Sequence, residues 1–159
     1  MATGDIKPVY GTLTAVTMNS GTLASSVTAG WQGAEVSNVS DKFDELAFTL
    51  VIDFANTAPA NSRGVFVYLA TGLETGKLSN PASGAEGTIT LVDVTTTPQN
   101  MRQIGFVPYT TQDEVTESGF MSFPAPPFWS LVLMNHSGAA LAASLNTVKW
   151  MGKYYNVAA

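Results

Sequence analysis

"ELAFTLVID", residues 45–53, is the stretch that decides the fold. Leu46, Phe48, Leu50 and Ile52 occupy alternate positions. A strand has a side-chain period of two, so these four share one face and seek one core. Downstream, "GVFVYLA" (64–70) is apolar on both faces and predicts a central strand. "FWSLVLMN" (128–135) behaves similarly: Trp129, Leu131 and Leu133 fall on one face, Val132 and Met134 on the other. Both faces of that strand are expected to be covered, by core or by a neighbouring chain.

Further strands follow from the same patterning. "VYGTLTAVT" (9–17) and "TITLVDV" (88–94) alternate, and "TLASSVT" (22–28) does so more weakly. "MRQIGFVPY" (101–109) must end at Pro108, which removes a ladder donor, and "NTVKWMGKYYNV" (146–157) closes the chain. Gly, Pro, Asn and Ser separate these runs; the chain has 14 Gly and 8 Pro. "DKFDELAF" (41–48) and "GAALAAS" (138–144) have helical character but are too short to stand as helices. "SFPAPPFW" (122–129) holds three prolines and predicts an extended lead into strand 128–135. The fold class expected is all-β: an antiparallel two-sheet β-sandwich of about eight strands. Residues 1–8 are read as an N-terminal arm ending at Pro8, and 9–159 as a single domain.

At 159 residues, one domain of this size buries roughly 68–70% of its unfolded surface and needs no staple. There is no cysteine, which excludes disulfides, thiolate metal sites and a Cys nucleophile, and fits assembly in a reducing cytosol. Seven Lys and Arg against 12 Asp and Glu give a net charge of −5. The basic residues are scattered, with no stripe to displace counterions from phosphates, so nucleic acid is not an expected partner. No apolar run reaches the ~18 residues of a membrane span. "MATGDIKPVYGT" lacks the charged start and apolar run of a signal peptide. Charged residues make up only 12% of the chain, against about 25% for ordinary domains. Interface cores are depleted of charge, so much of the surface is expected to face other protein chains. A surface kept soluble by hydroxyls and amides is the alternative.

Chemistry is sparse. The one histidine, His136, lies in "NHSG", a cluster of turn formers, and is expected to be an exposed loop residue. A Ser-His-Asp triad would have to use it as the shuttle base, the lesser reading, and a histidine zinc site normally needs companion His or Cys residues. "DKFDE" (Asp41, Asp44, Glu45) and "DEVTE" (Asp113, Glu114, Glu117) are carboxylate clusters without EF-hand spacing and read as solvated loop charge. Phosphate-binding G-x-x-x-x-G-K-[ST] and G-x-G-x-x-G patterns and the G-x-S-x-G elbow are absent. Most aromatics sit in the strand runs and are expected in the core; Trp31, in the polar "AGWQGAE", is the exception.

The second half of the chain resembles a group of small tailed-bacteriophage virion proteins. The resemblance rests on "TLVIDFANTAP" (49–59), "GVFVYLA" (64–70), "LSNPASG" (78–84), "FPAPPFWSLVLMNHSGAAL" (123–141) and "NTVKWMGKYYNV" (146–157). It implies a jelly-roll-like sandwich and a non-enzymatic structural role without cofactors or metals. Its members decorate capsids as cement proteins, often as trimers, or belong to tails and fibres. The expectation is therefore a homotrimer on the virion surface, assembled in the host cytoplasm, with the major capsid protein as partner. Candidate contact residues are Lys7 and Pro8 in the arm, Trp31 and Phe43 in loop 30–44, and Leu73 and Leu78 in loop 71–87. A tail-associated carbohydrate-binding or adhesion module is the rival reading, with Trp31 and the acidic loops contacting glycan. A glycan-active enzyme using Asp113 and Glu114 is the third.

Overall fold

A computed structural model of the chain describes residues 6–16, 18–19, 21–54, 64–79, 81–90, 100–108, 114–117, 123–143 and 146–157. Among them are twelve strands: β1 (Ile6–Tyr10), β2 (Thr14–Ala15), β3 (Ala29–Gln32), β4 (Val36–Ser37), β5 (Glu45–Asp53), β6 (Gly64–Gly72), β7 (Gly87–Thr90), β8 (Arg102–Pro108), β9 (Glu114–Glu117), β10 (Phe123–Pro124), β11 (Phe128–Asn135) and β12 (Thr147–Val157). No α-helix occurs among the described residues.

The strands form two antiparallel sheets. In the first, the order is β1-β12-β5-β10, with β2 also on β12 and β9 also on β5. The second runs β7-β3-β11-β6-β8, with β4 also on β11. Three pairs of short segments share a neighbour: β1 with β2, β3 with β4, and β9 with β10. Counting each pair as one strand leaves the eight positions of a jelly roll, plus β7. The first strand lies beside the last, and β6 and β8 are antiparallel neighbours in one sheet, the one such pair of successive positions among the described strands. Each other step between positions carries the chain from one sheet to the other. The sandwich is thus jelly-roll-like, as expected.

Alternation builds the core. Leu46, Phe48, Leu50 and Ile52 are all buried, facing inward from β5. From β12, Val148 and Trp150 lie opposite Leu50 and Phe48. Trp129, Leu131 and Leu133 face them from β11. The sheets lock through edge-to-face rings: Trp129 meets Phe48 at 5.4 Å and Trp150 at 5.2 Å between centroids. Such pairs contribute about 0.5–1.5 kcal/mol each beyond their buried area.

Several boundaries differ from those expected. Residues 6–8, assigned to an arm, are the first half of β1, which pairs with β12 along its whole length. Run 9–17 is divided into β1 and β2 around Gly11, where a Cβ would lie 2.8 Å from the Phe43 ring. Segment 22–28 is not a strand; the next strand is β3, which runs from Ala29 into what was read as loop 30–44. At Gly30 a Cβ would approach the Leu133 carbonyl oxygen to 2.9 Å, so close backbone approach, not an apolar pattern, places β3 there. In β8 a register shift falls opposite Val67 and Tyr68. That bulge lets Ile104 and Val107, an odd number of residues apart, both enter the core.

Candidate functional site

The two outer faces of the sandwich differ. On the second sheet, Tyr68, Val132 and Met134 point away from the main core yet are buried. Ala70, Ala82 and Met101 complete this second cluster, with Phe66, Leu78 and Ile89 packed on it. Burial raises the pKa of the Tyr68 phenol. Thus the chain itself supplies the cover foreseen for Val132 and Met134, through the segment that links β6 to β8.

Polar groups fasten that cover. Gln32, fully buried and opposite Val132, accepts from the Ser83 N–H at 2.8 Å and donates to the Ala85 carbonyl. The Glu35 carboxylate accepts from Thr75 Oγ1 at 2.6 Å and from the Gly76 N–H at 2.8 Å. Gly76 has a φ of 70°, in the left-handed region that favours glycine.

No such strap is present on the outer face of the first sheet among the described residues. Gly11 donates its N–H to the Gly152 carbonyl, so Lys7, Val9 and Gly11 aim their backbone groups at β12. Ile6, Pro8 and Tyr10 aim theirs at the open edge. Pro8, having no N–H, removes the central donor there and blunts strand addition. The side chains of Ile6, Pro8 and Tyr10 share the outer face with Tyr155, which lies opposite Pro8. Ile6 is 70% exposed, Tyr10 51% and Tyr155 47%. Beside them Lys153 Nζ donates to Glu45 Oε2 at 2.9 Å and to the Tyr155 hydroxyl. These hydrogen bonds, Tyr155 first, raise the Lys153 pKa.

The "NHSG" turn follows β11. Asn135, not His136, is its centre. The buried Asn135 amide donates to the carbonyls of Leu23 (2.8 Å) and Ala139 (2.7 Å). Its Oδ1 accepts from the Ser137 N–H and hydroxyl. Gly138 follows with a φ of 88°. His136 is half-buried, not the exposed tip expected. Its ring stands edge-on to Phe66 at 5.2 Å, and the His136 backbone N–H donates to the Gly64 carbonyl.

That turn also holds segment 21–26. The Ser26 N–H donates to the Asn135 carbonyl, and the Leu141 N–H to the Leu23 carbonyl. Between this segment and the inward side of β3 and β7 lies an open cleft of about 260 Å³. Leu23, Ser26, Ala29, Trp31 and Thr88 are among its lining residues.

The six predicted contact residues fall in separate places. Lys7 and Pro8 are exposed on β1, and Leu73, 82% exposed, follows β6 at the end of the second sheet. Leu78 packs on the covered face. Phe43 is a half-buried plug over Gly152 and Gly11, edge-on to Trp150 at 5.9 Å. Trp31 faces inward from β3 and packs on the main core. Of the carboxylates, Asp44 Oδ2 accepts from the Tyr155 N–H, and Glu45 pairs with Lys153. Asp113 lies outside the described residues, as do the side chains of Glu114 and Glu117. No three His, Asp or Glu side chains that could hold a metal come together among the described residues. Compared with protein-family models and with curated protein sequences, the chain has no match.

Proposed function

We propose that the chain is a non-enzymatic structural protein of a tailed-phage particle: a capsid decoration protein that joins neighbouring major capsid subunits as a homotrimer. The observation that carries this reading is the asymmetry of the two outer faces. One is closed by the chain's own insertion. The other presents Ile6, Pro8, Tyr10 and Tyr155 as a contiguous apolar strip at a sheet edge. Exposed apolar strips rimmed by polar groups mark interaction surfaces. The low charge of the chain and the jelly-roll topology support the same reading, as does the resemblance of residues 45–157 to phage virion proteins. Its mechanism is interface burial repeated over many copies; a standard interface buries about 1,600 Å² in total.

The test is reconstitution on undecorated capsids. Purified protein is expected to bind saturably and raise the temperature at which the shells release DNA. A double variant, Ile6→Ser with Tyr155→Ser, is expected to fold normally and lose occupancy. Undiminished occupancy by that variant removes the strip from the mechanism. Absence of any binding by the wild type overturns the reading.

A further inference from the structure

The cleft beside Trp31 is a feature that shell binding does not use. Strand β7 lies beyond the eight jelly-roll positions and extends the second sheet past β3. Trp31 and Thr88 are cross-strand partners and face inward together. Segment 21–26, not a strand of the first sheet, lies across them. We propose that this cleft binds one neutral sugar ring of a glycan, with Trp31 as its stacking surface.

Four observations lead there. The cleft is preformed: its wall is tied to the 135–141 turn through Asn135, Leu23 and Ser26. At Gly21, a Cβ would come within 2.6 Å of the Ala143 carbonyl oxygen, so the wall sits tight against the chain just past that turn. Preorganisation lowers the entropy lost on binding. Size is the second: a 150 Å³ cavity lodges benzene, so about 260 Å³ takes one substituted six-membered ring.

Chemistry is the third. The lining residues carry no charge, so neither an anion nor a cation finds a counter-ion there. The hydroxyl-bearing residues Thr22, Ser26 and Thr88 line it beside the Trp31 indole, and Ser26 Oγ accepts from the Thr28 and Ala29 N–H groups. A sugar offers hydroxyls to the polar groups and a C–H face to the indole. The fourth is backbone strain: Thr22 has a φ of 65°, unusual for a β-branched residue. Strain of this kind collects at ligand sites.

The experiment is a titration of the intact protein, followed by amide and indole N–H resonances. The probes are the methyl glycosides of glucose, galactose, mannose and N-acetylglucosamine. At least one is expected to shift the Trp31 indole N–H with the amides of Leu23, Ala24 and Thr88, leaving the core indoles of Trp129 and Trp150 in place. Thr88→Val, which keeps shape and removes the hydroxyl, is expected to weaken that binding about three- to tenfold. Trp31→Phe is expected to weaken it further with the fold retained. No shift with any of the four glycosides, or equal affinity in both variants, overturns the proposal. Capsid occupancy is a separate readout, so either idea can fail without the other.

Discussion

The outer faces of the two sheets begin from similar backbones and end differently. On β11, Val132 and Met134 are fully buried beneath the chain's own β6–β8 connection. On β1 and β12, Ile6, Tyr10 and Tyr155 stay about half exposed or more. An apolar side chain contributes to stability only where something excludes water from it. The covered face is therefore a second core. The open one is a surface whose apolar groups add little until a partner arrives.

Met134→Ala should break this contrast most forcefully. The side chain is fully buried, so truncation is expected to lower the unfolding free energy by about 2–5 kcal/mol in urea titrations. A loss under about 1 kcal/mol would mean that the insertion does not seal the face. Gln32→Ala comes next. It leaves the Ser83 N–H and Ala85 carbonyl without their partner, for an expected loss of about 1–3 kcal/mol. Hydrogen exchange should then quicken at Ser83 more than along β11. Uniform quickening would show that Gln32 supports the whole sheet and not its cover.

His136→Ala is expected to cost about 0.5–1.5 kcal/mol, the worth of one edge-to-face ring contact with Phe66. From sequence alone, as an exposed loop residue, the same substitution is expected to be neutral. A neutral result would mean that the Phe66 contact contributes nothing.

The strands with alternating or doubly apolar runs were legible in the sequence, because burial writes a period of two into β5 and a continuous run into β11. "AGWQ" was not, because β3 is set by the closeness of Gly30 to Leu133 and by a buried Gln32 that bonds to a segment some fifty residues away. Long-range polar partners leave no local pattern. The same holds for "NHSG": turn chemistry was visible, but only the fold shows Asn135 reaching the Leu23 carbonyl. Lys7 and Pro8 were legible as candidate surface residues, whereas Phe43 and Leu78 are packed within the chain. An exposed hydrophobic and a plug look alike in sequence.

The smallest expected effect lies on the open face, and its smallness is the point. Tyr155→Ser should change stability by less than about 0.5 kcal/mol, because an exposed side chain loses little burial. Lys153→Met should also have a small effect at physiological salt, since its pair with Glu45 is only partly buried and is partly screened. The raised Lys153 pKa fixes the sign of its pH dependence. Its contribution is complete below the unfolded lysine pKa near 10.4 and fades as pH rises through the higher folded value. Wild type and Lys153→Met should therefore differ most at low salt near neutral pH and converge in strong alkali. A large stability loss from Tyr155→Ser in the isolated protein would mean that the strip is already covered, by a second copy or by the chain. Loss of shell binding with unchanged stability would instead sharpen the contrast, because the apolar strip would then act only between molecules.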